Sequence, residues 1–469
     1  MKILIAIANY GTKNDKYLHQ VLEQYHLLPY QKTIIVHTNV TKDLGDDVKV
    51  EVGLPTPDPR SLVWSHRRLF VENADRYDLY IYTEDDTPLL PDNLDYYLKV
   101  NKYLPDNYVP GFLRYELGSS GRVSFPDIMG SYHWYPDSVK SFDSYTFAEL
   151  SNKHSALYVL TRSQLQTAIH SGNYALLPHR SRYDIMASAA SDLFHNCGLT
   201  KVICISHIDK FLLHHLSNKY VERFGLSKED LEAQVKALME VKSGSLSKSS
   251  LFNTETKLLK GYNKHYYSKC EQIVNSVSAK SKKVLSVGCG IGKTEAALVE
   301  RGHQVVAIPL DEVVAVPARS RGIATVESDF EKALASLSKQ RFDCIVFEDV
   351  LAHLHDPTII LTRFVNLLND QGQIMATFLN TKYDKFTDES FEPLDQTLKG
   401  VYDFETLGLH LTSEQMVRSW FHQSGLKVQS VAYYNFLNRQ RRIYNGLSFG
   451  WLAKKWAKRF LIVAVRQRK

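Results

Sequence analysis

Two short stretches of this sequence gather residues that could do chemistry. In the first, Gly288-Cys289-Gly290-Ile291-Gly292 follows the apolar or small run Val284-Leu285-Ser286-Val287 and leads into a helix-forming segment from Lys293. Alternating glycines let the backbone approach a ligand closely, and the free N–H groups of a helix start face it. In the second, the aromatic run Tyr77-Asp78-Leu79-Tyr80-Ile81-Tyr82 ends in Glu84-Asp85-Asp86. Adjacent carboxylates repel one another unless solvent or a cation neutralises them. A divalent ion shared with a diphosphate would serve, because Mg²⁺ commonly takes one or two carboxylates plus phosphate oxygens. A solvated acidic turn explains the same residues.

The surrounding elements read as two α/β cores. Residues 2–8 and 33–38 are strand-like with a helical spacing over 15–28 between them, the opening of a doubly wound sheet, in which ligands bind at the carboxyl ends of strands. A second strand–helix alternation runs from 284: strands at 304–308, 342–347 and 372–379, with helices at 293–301 and 357–369. Between the cores, 217–242 alternates charged and apolar residues as a helix does, and Ser243-Gly244-Ser245-Leu246-Ser247-Lys248-Ser249-Ser250 reads as a flexible linker. The expected division is therefore 1–220, a connecting helix and linker over 221–251, and 252–469.

Bulk properties agree with this plan. At 469 residues, 44% hydrophobic and 23% charged, the chain exceeds one ordinary core and has the make-up of a soluble globular protein. Five scattered cysteines argue against a disulfide framework and for a reducing compartment. The apolar start stops at Asn9 and reads as a buried strand rather than a signal peptide. The net charge of +6 is uneven: residues 415–469 carry twelve Lys or Arg and no acid. Within that tail, 450–459 reads as a basic, Trp-bearing helix, either packed on the surface or lying on an anionic membrane, and 460–465 as a closing strand.

In its order of motifs the N-terminal half resembles the GT-A nucleotide-sugar glycosyltransferases. Asn9-Tyr10-Gly11 echoes their base-binding loop and Glu84-Asp85-Asp86 their acidic D-x-D motif. That resemblance implies Mn or Mg held by Glu84 and Asp86, with His215 (or His214) as a late ligand, Tyr10 near the base, and Asp184 as the base of an inverting transfer. Aromatic residues over 125–147 would then stack on sugar rings or pack in the core.

The C-terminal half resembles the class I S-adenosylmethionine-dependent methyltransferases. Their first motif, V-L-D-x-G-C-G-x-G, is matched by Val284 to Gly292, and their F-D-x-V … V-L-x-H-L-x-D-P run by Phe342-Asp343-Cys344-Ile345-Val346 and Val350 to Pro357. The resemblance implies a cofactor held by Gly288, Cys289, Gly290, Gly292, Glu348, Asp329 at the adenine amine and Phe330 stacking beside it. Ser286 stands where the family has Asp, and Pro309 where it has the ribose-binding acid, so Asp311 or Glu312 would have to swing in. His353 is the first candidate for the base in methyl transfer to a hydroxyl, and His410 the second. Gly292-Lys293-Thr294 also ends a phosphate-loop pattern, but Val287 occupies its opening glycine and sets that reading aside.

The expectation is a cytoplasmic enzyme, peripheral at a membrane if the basic tail binds one, with two doubly wound α/β domains. It would use a nucleotide sugar, a sugar or glycan acceptor and S-adenosylmethionine, with no nucleic-acid partner. The competing expectation is a binding scaffold that retains these folds without catalysis.

Overall fold

The computed structural model describes residues 1–181, 183–221, 223–251, 266–383, 403–436 and 452–467. The chain divides into two compact units, Met1–Ser243 and Gly244–Lys469. The helix Lys228–Ser243 lies in the first unit rather than in a linker, with Leu231, Ala237, Leu238 and Val241 buried.

In the first unit, β1 (Lys2–Asn9), β2 (Gln31–Thr38), β3 (Val48–Val52), β4 (Leu79–Glu84) and β5 (Leu157–Thr161) form a sheet ordered β5-β4-β1-β2-β3. The β1–β2, β2–β3 and β1–β4 pairs are parallel, and β5 runs antiparallel to β4. Alternate residues of β1 serve opposite layers: Ile3, Ile5 and Ile7 join one cluster with the helix Asp15–His26, and Leu4, Ala6 and Ala8 another with the helix Ser65–Glu72. A strand covered on both faces needs apolar residues at every position, which is how its sequence reads. The unit is not a plain doubly wound domain, because two four-stranded sheets lie outside this one. In one of them, Leu212–His214 runs parallel to Leu113–Leu117 with His214 opposite Tyr115, a register that carries His215 to Glu116.

The second unit has one sheet of seven strands: β6 (Lys283–Cys289), β7 (Gln304–Pro309), β8 (Ala324–Thr325), β9 (Phe342–Glu348), β10 (Leu368–Leu379), β11 (Leu426–Phe436) and β12 (Ala457–Arg466). Its order is β8-β7-β6-β9-β10-β12-β11. The first five are parallel, and β12 is antiparallel to both of its neighbours. The last strand therefore inserts between β10 and β11. The basic helix expected over 450–459 is one turn, Ala453–Trp456, after which Lys458 and Arg459 belong to β12. Trp451 lies outside the described residues. Burial of Phe460, Ile462 and Ala464 in the core explains why the chain leaves the helix so early.

No helix among the described residues is long and apolar enough to cross a membrane. Of the aromatics over 125–147, Phe125, Trp134, Tyr145 and Phe147 are buried in packing.

The glycine turn after β6 is packed by the protein itself. A Cβ on Gly290 would lie 2.2 Å from the Tyr266 carbonyl oxygen, whereas one on Gly302 would meet nothing within 4 Å. Gly290→Ala should therefore destabilise the C-terminal unit by about 1–3 kcal/mol beyond any backbone propensity effect. Gly302→Ala, which carries only the cost of a positive φ, should lose about 1–2 kcal/mol. Urea unfolding followed by tryptophan fluorescence measures both.

Candidate active site

In the second unit, the chain moves outward from β6 in opposite directions, through β7 on one side and to β9 on the other. The carboxyl ends of β6 and β9 thus flank the switch point where open α/β sheets bind ligands. Gly288 (φ +88°) and Gly292 (φ +83°) make the turn there, and Gly292 caps the helix Lys293–Glu300. A Cβ on Gly288 would stand 2.2 Å from Val350 Cγ2, while the Ile291 N–H donates to the Tyr266 carbonyl at 3.0 Å. Cys289 is fully buried between these contacts.

Beneath the turn is a polar cluster. Ser286 Oγ donates to Glu295 Oε1 at 2.6 Å, and Thr294 Oγ1 donates to Glu348 Oε2 at 3.1 Å. The Cys270 N–H donates to the same threonine hydroxyl at 3.0 Å. Sequence reading missed Glu295, although its place three residues past the last glycine puts it in the first helical turn, facing the strand it left.

At the rim, Asp311 does not swing toward the ribose position. Its Oδ1 accepts the N–H groups of Val313 (2.9 Å) and Val314 (2.7 Å), and its side chain is buried. Burial pushes its carboxyl up to about 7, against those two hydrogen bonds. Glu312 is turned inward as well: Oε1 accepts from Ser328 N and Oγ at 2.8 and 2.9 Å, and Oε2 pairs with Arg319. Asp329 is only partly buried; it caps the helix Phe330–Leu337 by accepting the Lys332 N–H at 2.9 Å. The Phe330 ring packs edge-on against Phe364 at 6.0 Å, so part of its surface goes to the core rather than to a stacked base.

His353 and His410 come together. His353 ends the short turn Leu351–His353 after β9 and is 5% exposed. The His410 N–H donates to the Ala352 carbonyl at 2.8 Å, and its Nε2 lies 3.0 and 3.2 Å from the carbonyl oxygens of Leu354 and His355. Those contacts fix the proton on Nε2 and make His410 a brace for the turn carrying His353; burial also holds its pKa below the usual value. Beside this turn, Asp349 (φ +55°) bonds Thr377 Oγ1 at 2.9 Å and pairs with Arg459 of β12.

A family model described as a methyltransferase domain matches residues 262–431. The C-terminal unit carries a class I S-adenosylmethionine-dependent methyltransferase domain. This domain is similar to the ubiquinone biosynthesis O-methyltransferase of Azotobacter vinelandii, 27% identical over 194 residues, 39% of this chain and 82% of that protein. The corresponding protein of Stutzerimonas stutzeri is 26% identical over 163 residues, 33% of this chain and 68% of its own. Among solved structures, an S-adenosylmethionine-dependent methyltransferase from Mesorhizobium loti covers 42% of this chain and 96% of its own at 16% identity, with TM-score 0.31. The mitomycin 7-O-methyltransferase MmcR covers 42% of this chain at 15% identity with TM-score 0.29, and the match spans about half of that protein, 52%.

The methyltransferase domain leaves the N-terminal unit to be read on its own geometry. Its switch point lies between β1 and β4, whose carboxyl ends carry Asn9 and Glu84. Asn9 and Asn14 each donate a carboxamide N–H to Asp85, both at 2.8 Å. Burial pushes Asp85 up to about 6, and burial with neighbouring Asp86 pushes Glu84 up to about 7. Tyr10 is 51% exposed at the rim. Asp86 Oδ2 lies 3.2 Å from His215 Nε2, and His215 Nδ1 lies 2.5 Å from Glu116 Oε1. An imidazole between two carboxylates satisfies both only with a proton on each nitrogen. Burial opposes that charge, yet the Asp86 hydrogen bond raises the His215 pKa above its usual value.

The structure thus joins Asp86 to His215 directly, and no group of three His, Cys, Asp or Glu among the described residues is arranged to hold a metal ion. Two of the donors expected to ligate Mn or Mg, Asp86 and His215, engage each other, so the set does not fit the metal as it stands. Asp184 is an exposed helix cap: its Oδ1 accepts the N–H groups of Met186 (3.1 Å) and Ala187 (3.0 Å), and none of its described hydrogen bonds reaches the acidic cluster. Sequence reading missed Glu116, Asn14 and the partly buried pair Arg114–Asp127 (2.7 Å), all contributed by segments remote from the motif.

Asp311 supplies a test by pH. A carboxyl group raised in the folded state costs stability as pH climbs from its unfolded value through its folded one. The C-terminal unit should lose stability between about pH 4 and 7 for this reason. Asp311→Asn, which keeps the Oδ1 acceptor, should flatten that slope and gain about 2–4 kcal/mol at pH 8. Chemical denaturation at pH 5 and pH 8 reads the difference.

Proposed function

We propose that the C-terminal domain methylates a hydroxyl oxygen of a sugar or glycan, and that the crevice between β1 and β4 binds a nucleotide sugar as a glycosyl donor. The observation that carries the first reading is His353, held at the carboxyl end of β9 and backed by His410. The O-methyltransferases among the relatives support transfer to oxygen. S-adenosylmethionine, when bound, supplies a methyl group on a positively charged sulfur. The backbone of the Gly288–Gly292 turn would hold its amino-acid end and Asp329 its adenine amine. Neither Pro309 nor inward-turned Asp311 offers a ribose acceptor. His353 takes the proton of the acceptor hydroxyl as the oxygen attacks, and the surrounding buried turn keeps bulk water from competing.

The glycosyl reading rests on the acids at the N-terminal switch point, with Asp85 preset by two carboxamides. No step through a metal is assigned, since Asp86 and His215 occupy each other. A non-catalytic scaffold is the second reading, favoured by the Tyr266 carbonyl on the turn and by Pro309 at the rim.

His353→Ala should lower methyl transfer to glycan acceptors by about 10²–10⁴-fold with S-adenosylhomocysteine affinity unchanged. His410→Ala should cost less, through a loosened turn. Calorimetry with S-adenosylhomocysteine separates the readings, because the scaffold predicts no heat at millimolar ligand. In the other unit, Asp85→Asn should weaken binding of nucleoside diphosphates, read on the same instrument with and without Mn²⁺.

A further inference from the structure

Among the described residues, the buried acid beneath the glycine turn has no cation paired with it. Glu295 is 2% exposed, and its described hydrogen bond comes from Ser286 Oγ, a neutral group that is itself 2% exposed. No Lys, Arg or His among the described residues forms an ion pair with it. A carboxylate withdrawn from water without a positive partner is costly, whereas one that meets an ammonium and a hydroxyl is compensated. Its neighbour along the helix, Thr294, orients Glu348 by a second hydroxyl–carboxylate bond, so the turn stands over two buried acids each held by a hydroxyl.

We infer that Glu295 is a positioning residue for the α-ammonium of the methyl donor, and that Ser286 aims it. This deepens the methyltransferase reading and rests on it. The first motif of the domain has its acid on the strand at position 286; here the strand supplies the hydroxyl and the helix supplies the charge. The side chains have exchanged roles across one 2.6 Å hydrogen bond while the negative charge stays beneath the same turn. The ligand class that fits is an adenosyl compound bearing a free α-amino group. Adenosyl thioethers that lack the amino-acid end would bind without using Glu295.

The test is calorimetry on the full chain with two probes, S-adenosylhomocysteine and 5′-methylthioadenosine, which differ in the amino-acid end. Glu295→Gln keeps the shape and removes the charge. It should weaken S-adenosylhomocysteine by roughly 10–100-fold, a charge-assisted hydrogen bond's worth, and leave 5′-methylthioadenosine within about 3-fold. The double variant Ser286→Asp with Glu295→Ser returns the acid to the strand and should restore most of the lost affinity. Equal weakening of both probes would mean that Glu295 only packs the turn, and would overturn the assignment. So would a double variant, folded by thermal melting, that binds no better than Glu295→Gln. If the wild-type chain binds neither probe, the methyltransferase reading itself fails. If it binds both and Glu295→Gln changes nothing, only the inference fails.

Discussion

The close packing of the Val350 side chain and the Tyr266 backbone against the Gly288–Gly292 turn is the constraint on which the second unit depends. Gly288 lies under Val350 and Gly290 under the Tyr266 carbonyl, with no room for a Cβ at either. Those contacts tie the end of β6 to the end of β9 and to the chain that precedes the helix Glu271–Ser276. They also leave the acids Glu295 and Glu348 beneath the turn, shielded from water. The same glycines that permit a ligand to approach are therefore already needed to close the fold, and a glycine motif by itself does not separate the two roles.

Both units use a common device. Each places polar residues at the carboxyl ends of two parallel strands where the sheet changes direction; burial raises the proton affinity of Asp85 at that point in the first unit and of Asp311, after the adjoining strand β7, in the second. They differ in what those acids face. In the N-terminal unit Asp85 and Asp86 are engaged by carboxamides and an imidazole contributed from outside the motif. In the methyltransferase domain the partner of Glu295 among the described residues is a hydroxyl. An acid with cationic or multiple partners is largely satisfied before any ligand arrives, and one with a single neutral partner is not.

How much of this was legible depended on sequence distance. Strand-to-turn junctions such as Val284–Gly292 and Tyr80–Asp86 announce themselves, because buried parallel strands are continuous apolar runs that stop at polar residues. The antiparallel insertion of β12 between β10 and β11 is not visible in Ala457–Arg466, since a strand's neighbours are set by the whole sheet. Among the described residues the tail helix stops at Trp456 for the same reason: Lys454 to Arg459 has helical spacing, but the apolar run after it belongs to the core. Partners of the site acids were hidden too. Glu116 reaches His215 across 99 residues, and no local pattern encodes that meeting. Asp184 reads as a base and Asp311 as a ribose-binding acid, yet each spends its oxygen on the two N–H groups of its own turn, a use that short-range capping favours for aspartate.

The central claim is that an adenosyl amino acid sits above the glycine turn despite the proline at its rim. A crystal structure of the intact chain grown with S-adenosylhomocysteine tests it most directly. The account predicts density over Gly288–Gly292 with the amino group within hydrogen-bond reach of Glu295 and the adenine beside Asp329. Density absent there, with the Tyr266 and Tyr267 side chains filling the space, would contradict it.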